Sequence, residues 1–205
     1  MIKSLYNKFL GLFYKLSPYS QAGQDLFALE LFGKKGTYID IGSGEPIRNN
    51  NSYLLEVKNN WSGFCLDFNI SQKINWEKTP ERINKVYWSD ATTFDYRNAI
   101  IENKLPSNVD FLSCDIDPQE KTFITLKKVF ADGLRPKSIA FETDLYREKT
   151  DYSSLAESFL KPYGYEIGVK NVYSNLKKNK IFETWFVHKS LNFEPVDYKI
   201  WVKKL

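Results

Sequence analysis

The chain has 205 residues, 42% of them hydrophobic and 16% aromatic, with a net charge of +4. That composition excludes a disordered chain, which lacks the aromatic and β-branched side chains needed to offset ordering entropy. The charge is spread over 29 Lys and Arg and 25 Asp and Glu with no long basic run, so nucleic acid is not the expected partner.

Residues 1–16 place Ile2, Leu5, Phe9, Leu12, Phe13 and Leu16 at helical spacing, interrupted by Lys8 and Lys15. This pattern is neither a signal peptide nor a membrane span. It reads as an amphipathic helix that packs on the domain or on a second copy in a homodimer, with peripheral membrane contact as the alternative. Ser20 then stands as a candidate N-cap for a helix through Phe27 and Leu31, while Gln21 and Gln24 are placed to fold over a ligand.

Beyond this extension, β-rich runs at 37–41, 63–67, 85–88, 109–114 and 138–142 alternate with helical patterns at 53–59, 70–78, 94–103, 122–130 and 152–161. Pro80, Pro106, Pro136 and Pro162 mark where helical segments must have ended. Residues 165–170 and 183–189 are strand-like with only the polar loop 171–180 between them, which predicts an antiparallel hairpin. The expected fold is α/β: a three-layer, Rossmann-like sandwich around a mostly parallel seven-stranded sheet that ends in that hairpin. No Pro/Gly/Ser-rich stretch divides the chain. One domain over 1–205 is expected, with a helical extension at 1–33, a core at 34–190 and a tail at 191–205. Cys65 and Cys114 lie in separate apolar runs, too far apart for a zinc or redox motif, and are expected to be reduced core residues of a cytoplasmic protein.

The first strand runs into Asp40-Ile41-Gly42-Ser43-Gly44, where the glycines allow a tight turn and a close approach of backbone to ligand. Asp40, ending that strand, is suited to orient the loop or to accept bonds from the ammonium of an amino-acid-bearing ligand. Asp67 ends the second strand at the distance where a carboxylate meets a ribose diol through two charge-assisted hydrogen bonds. Asp90 follows the third strand and is the candidate for an adenine amino group, with Phe68 and Ala91 beside it on the apolar side. A single strand-terminal Asp often only caps the next helix, but capping does not account for the series Asp40, Asp67, Asp90 after three successive strands.

Segments 20–25, 36–46, 51–56 and 61–67 resemble, in that order, the FkbM-like family of S-adenosylmethionine (SAM)-dependent class I methyltransferases. The resemblance continues through 110–117 with Glu120 and through 135–142, so it covers most of the chain. It implies SAM as cofactor and methyl transfer to a hydroxyl of a sugar, glycan or related polyol. On the same basis Gln21, Gln24, Ser43, Asn51, Ser52 and Asp115 join Asp40, Gly42, Gly44, Asp67, Phe68, Asp90 and Ala91 as cofactor-binding candidates. Two departures are visible: Asp117-Pro118 stands where the family has an acidic residue followed by Gly, and Asp67 stands where Glu is common.

Asp115 and Asp117 lie two apart at the end of the fourth strand, and Glu142 and Asp144 repeat that spacing after the fifth. Strand ends of a parallel sheet face the ligand crevice, so these carboxylates are expected near the reacting atoms, with Asp115 and Asp117 as the catalytic candidates. Three roles stand open. They are a Mg²⁺ site on Asp115, Asp117 and Glu142, a general base of raised pKa, or a structural role in which Asp117 caps a helix and Glu142 pairs with Lys137 or Arg147.

His188, the sole histidine, is assigned a structural role in the last strand. The basic loop 170–180 reads as a solvated hairpin loop, or as a flap over an anionic acceptor. Other functional readings are methylation of RNA, a catalytically silent SAM-binding module, and a nicotinamide-dependent oxidoreductase. The last would normally carry a third loop glycine and a sixth strand–helix unit.

Overall fold

The computed structural model describes residues 17–147, 149–173 and 180–205. The expectations for 1–16 and for most of loop 170–180 therefore fall outside the described residues. Five parallel strands, β1 (Thr37–Ile41), β2 (Ser62–Asp67), β3 (Lys85–Trp88), β4 (Phe111–Cys114) and β5 (Ser138–Glu142), are followed by β6 (Tyr165–Tyr173) and β7 (Ile181–His188). A two-residue strand, β8 (Val196–Asp197), completes one sheet in the order β3-β2-β1-β4-β5-β7-β6-β8. Only β7 runs antiparallel to its neighbours β5 and β6, and β8 returns to pair parallel with β6.

The period-two alternation of the strands sorts their side chains to two faces. Ile39, Ile41, Phe64, Leu66, Leu112, Cys114, Ile139 and Phe141 enter one apolar cluster. Helices α3 (Tyr96–Glu102), α4 (Gln119–Ala131) and α5 (Tyr152–Leu160) cover that face. In α4, Thr122, Thr125, Leu126, Val129 and Phe130 are buried at three- and four-residue spacing, the stripe of a helix lying on a sheet. Tyr38, Cys65, Phe111, Ala140, Trp185 and Val187 point to the other face and pack under α1 (Gln24–Phe32), α2 (Lys73–Glu77) and α6 (Tyr198–Val202). Trp185 and Trp201 are fully buried there, and burial of a large apolar side chain contributes about 1.5–3 kcal/mol.

Three differences from the sequence reading have physical causes. The sheet has eight strands rather than seven, because a two-residue strand is too short to leave a pattern and forms only where the edge of β6 lies open to it. The tail is not an appendage: Tyr198 Oη donates to the carbonyl of Ala22 at 2.8 Å, so α6 folds back onto the N-terminal segment. Gly23, at φ 84°, takes the N-cap position of α1 that Ser20 was expected to hold. Ser20 Oγ instead accepts from the Gly23 N–H and donates to Asp25 Oδ1 at 2.6 Å, while Ser17 Oγ donates to Asp25 Oδ2 at 2.5 Å. Burial, opposed by these hydroxyls, raises the Asp25 carboxyl to about 6. No helix of the described residues is long and apolar enough to cross a membrane.

Candidate functional site

The strand order reverses between β1 and β4, so the carboxyl ends of β1, β2 and β4 diverge and leave a crevice at the switch point. Gly42 shapes its floor. At φ 81° it adopts a left-handed conformation, and a Cβ placed on it would lie 1.7 Å from the carbonyl oxygen of Asp115. The missing side chain thus serves an approach of the β4 loop, where the sequence had suggested the approach of a ligand. Gly44, at φ 59°, faces open space.

Three adjoining cavities line the crevice. The first is formed by Leu66, Asp67, Phe68, Ser89, Asp90, Ala91, Ile116, Asp117 and Lys121. The second, more polar, is formed by Gln21, Asp40, Gly42, Ser43, Gly44, Glu45, Arg48, Asn49, Asn51, Gln72 and Asp115. The third joins them over Gly42, Gly44, Asp67, Phe68, Asn69, Gln72, Asp115, Ile116 and Asp117. The mixed apolar and polar lining of the first suits a flat heterocycle, and the polar second suits a short zwitterion.

The carboxylate series keeps its order in space. Asp67 Oδ2 accepts from the Gly44 N–H at 2.7 Å and Oδ1 from the Asn69 N–H at 2.6 Å, so the β2 carboxylate ties down the β1 loop. Asp90 Oδ1 accepts from Thr92 N–H and Oγ1, and these bonds hold its carboxyl below the usual range. Asp40 is buried and accepts from Ser52 Oγ at 2.7 Å. Burial lifts it to about 6, against the pull of Ser52 and Arg82. Phe68 is 78% exposed on the lip of the first cavity, and Ala91 is buried in its wall.

Two of the other predicted cofactor residues are engaged inside the protein and line none of these cavities. Gln24 donates to Glu183 Oε1 at 2.8 Å and accepts from the Ala22 N–H at 2.9 Å. Ser52 stands behind Asp40. By contrast, Ser43 and Asn51 both line the polar cavity and carry buried oxygens, Oγ and Oδ1, with no hydrogen-bond partner. A buried polar atom left unpaired is unfavourable by roughly 1–3 kcal/mol, and two in one cavity wall are an observation that fits a polar ligand.

The acids at the ends of β4, β5 and β7 share one face by strand parity. Glu142 on β5 stands directly opposite Glu183 on β7. Glu142 accepts from Gln119 Nε2 at 3.0 Å and shares a hydrogen bond with Asp115. Burial first, and then the Asp115 charge, push Glu142 far above the usual carboxyl range, so it is the protonated partner of the pair. Burial and Asp115 raise Glu183 to about 8, opposed by bonds from Trp185 and Gln24. Asp117 leaves the group: its side chain is 72% exposed and pairs with Arg147, which also binds the buried Asp144 at 2.5 Å.

The structural alternative for Glu142 does not hold in either form. Lys137 binds Asp110 at the far end of β5, and Arg147 is taken up by Asp117 and Asp144. Nor does Asp117 cap α4, whose N-cap position is Pro118. Among the described residues no three His, Cys, Asp or Glu side chains are grouped to hold a metal ion. The Mg²⁺ alternative for Asp115, Asp117 and Glu142 does not fit, because Asp117 turns outward to Arg147. His188 lies at the opposite end of the sheet, bonded to Ser190 and packed on Tyr165.

Sequence reasoning missed the residues that hold the loop. Arg82 is buried and donates to Glu56 Oε2 and the Pro46 carbonyl at 2.7 Å, to Asn50 Oδ1 at 2.9 Å and to Ser52 Oγ at 3.0 Å. Its guanidinium lies 4.4 Å from the centroid of the Trp76 ring, and Trp76 Nε1 donates to the Gly44 carbonyl at 2.9 Å. Arg82 follows Pro80 in a loop without periodicity, so only its tertiary partners reveal it. Arg48, on the rim of the polar cavity, was missed for the same reason.

No family model and no curated protein match the chain. Solved structures do. The small RNA methyltransferase HEN1 superposes with a TM-score of 0.55 at 14% identity, over 81% of this chain and 25% of that one. The METTL16 MTase domain gives 0.52 at 17% identity, over 78% of this chain and 64% of that one. An rRNA methylase from Streptococcus thermophilus gives 0.52 at 8% identity, over 80% and 93% of the two chains. The chain thus spans a quarter of HEN1 and less than two thirds of the METTL16 structure. At these identities the likeness is one of fold: a Rossmann-like α/β sheet whose parallel strands end in an antiparallel pair.

Proposed function

We propose that the chain is a SAM-dependent methyltransferase that methylates a hydroxyl of a sugar, glycan or related small polyol. The observation that carries this reading is the crevice in which Asp40, Asp67 and Asp90 stand at the carboxyl ends of three successive strands and unpaired Ser43 Oγ and Asn51 Oδ1 face a polar cavity. In this reading Asp67 receives the ribose diol. Asp90 receives the adenine amino group, with Ala91, Phe68 and Ile116 against the ring. Gln21, Asp40, Ser43 and Asn51 surround the amino-acid end.

Bound there, SAM supplies a methyl group already activated on a sulfonium. The protein's share is placement and proton removal, since in-line positioning of the acceptor oxygen provides much of the acceleration. Asp115 lines both the polar and the joining cavity and is the carboxylate assigned to take the hydroxyl proton. Protonated Glu142 donates to it and fixes its orientation. Asp117 forms the outer lip with Arg147.

The hydroxyl acceptor rests on the FkbM-like resemblance, carried by segments at 20–25, 36–46, 51–56, 61–67, 110–117 with Glu120, and 135–142. A second reading, RNA as acceptor, is favoured by the named activities of the solved structures above. Against it, the Asp115 carboxylate lines the polar and joining cavities, where it repels phosphates, and Arg147 is already paired with Asp117 and Asp144. Calorimetric titration with SAM and S-adenosylhomocysteine tests the common premise, with NADH and NAD⁺ as controls. Micromolar binding of both sulfur nucleosides, weakened about 10- to 100-fold in Asp67→Ala by the loss of two charge-assisted bonds, is expected. Binding of NADH instead overturns it. Methyl transfer to sugars but not to RNA then decides the acceptor.

A further inference from the structure

Arg48 lines the polar cavity yet has no hydrogen-bond or ion-pair partner among the described residues. The loop that carries it is held from both sides. Asn50 Nδ2 donates to the Ser43 and Glu45 carbonyls, each at 3.0 Å, and Arg82 grips the Pro46 carbonyl. A long cation on a pinned loop is therefore presented over a wall that is otherwise acidic or neutral: Asp40, Asp115, Gln21 and the unpaired oxygens of Ser43 and Asn51.

That arrangement has the charge pattern of an α-amino acid held at both ends. The carboxylate and acceptor oxygens of the lining suit an ammonium, and the planar guanidinium fork of Arg48 suits a carboxylate. Glu45, on the same rim, cannot serve the carboxylate and leaves Arg48 as its one cationic partner among the cavity residues. Resting on the SAM reading above, we infer that Arg48 is a specificity residue that binds the α-carboxylate of the ligand's amino-acid moiety. It thereby selects nucleosides bearing that group over those lacking it.

The test compares S-adenosylhomocysteine with 5′-methylthioadenosine, which shares the nucleoside and the sulfur but lacks the amino acid. Both are titrated into the full chain and into Arg48→Met and Arg48→Lys. Because Arg48 is exposed and makes no internal bond, all three proteins are expected to melt at the same temperature. Arg48→Met is expected to weaken S-adenosylhomocysteine by at least about tenfold and leave methylthioadenosine within about twofold, with Arg48→Lys in between. Unchanged S-adenosylhomocysteine affinity in Arg48→Met, or a parallel loss for both ligands, overturns the inference while leaving the SAM reading intact. A wild-type protein that binds neither ligand overturns both.

Discussion

The carbonyl oxygen of Asp115 occupies the place where a Cβ of residue 42 would stand, 1.7 Å from that position. The loop after β1 and the loop after β4 are thereby fixed against each other by the absence of one atom. Gly42→Ala must both strain a left-handed backbone and push the β4 loop away. The expected loss is about 2–4 kcal/mol of stability, read as a fall in the urea midpoint, together with loss of nucleoside binding. Gly44→Ala, also at positive φ but facing open space, is expected to lose only about 1–2 kcal/mol.

Arg82 and Glu56 form a buried pair at 2.7 Å, and the same guanidinium reaches Ser52, the donor to Asp40. Removing one member strands the other charge in the interior. Arg82→Met is expected to destabilise by about 3–5 kcal/mol in denaturant unfolding. The double variant Arg82→Met/Glu56→Gln is expected to recover part of that loss. If the double variant is no better than the single one, the penalty does not come from the stranded carboxylate.

Glu183 is neutral at pH 7 because its folded pKa, about 8, is raised above the ordinary 4.5. The folded state therefore holds a proton that the unfolded chain releases in this interval. The associated stability is complete below about 4.5 and is lost as the pH rises through 8. Melting temperatures across pH 5 to 9 are expected to fall by several degrees in the wild type relative to Glu183→Gln, whose side chain cannot titrate. Parallel curves would place the titration elsewhere.

For the proposed methyl transfer, Asp115→Asn is expected to lower kcat by 10²–10⁴-fold, the range for loss of a general base. Glu142→Gln keeps an uncharged hydrogen-bond donor at the position of a protonated acid and is expected to lower kcat by about tenfold or less. Equal losses in steady-state kinetics at saturating SAM would show that Glu142 acts in its charged form.

Much of the fold is legible in the sequence. The bounds of β1, β3 and β5 are those of the apolar runs, because a buried strand must alternate its side chains between two apolar clusters, and that alternation is written locally. The order of Asp40, Asp67 and Asp90 is legible too, since each stands at or just beyond the carboxyl end of a strand. Parity within each strand even sets which acids share a face.

What the sequence could not determine depends on contacts between distant segments. Whether Asp117 joins Asp115 or turns to Arg147, and whether Gln24 meets a ligand or Glu183, is decided by groups 30 and 159 residues away. β8 and α6 exist because an open strand edge and the Ala22 carbonyl offer them partners. Arg82 could be recognised only when the chain had brought Pro46, Asn50, Ser52, Glu56 and Trp76 around it. Local periodicity fixes which side chains leave water together; only the folded chain decides which polar groups, once buried, become each other's partners.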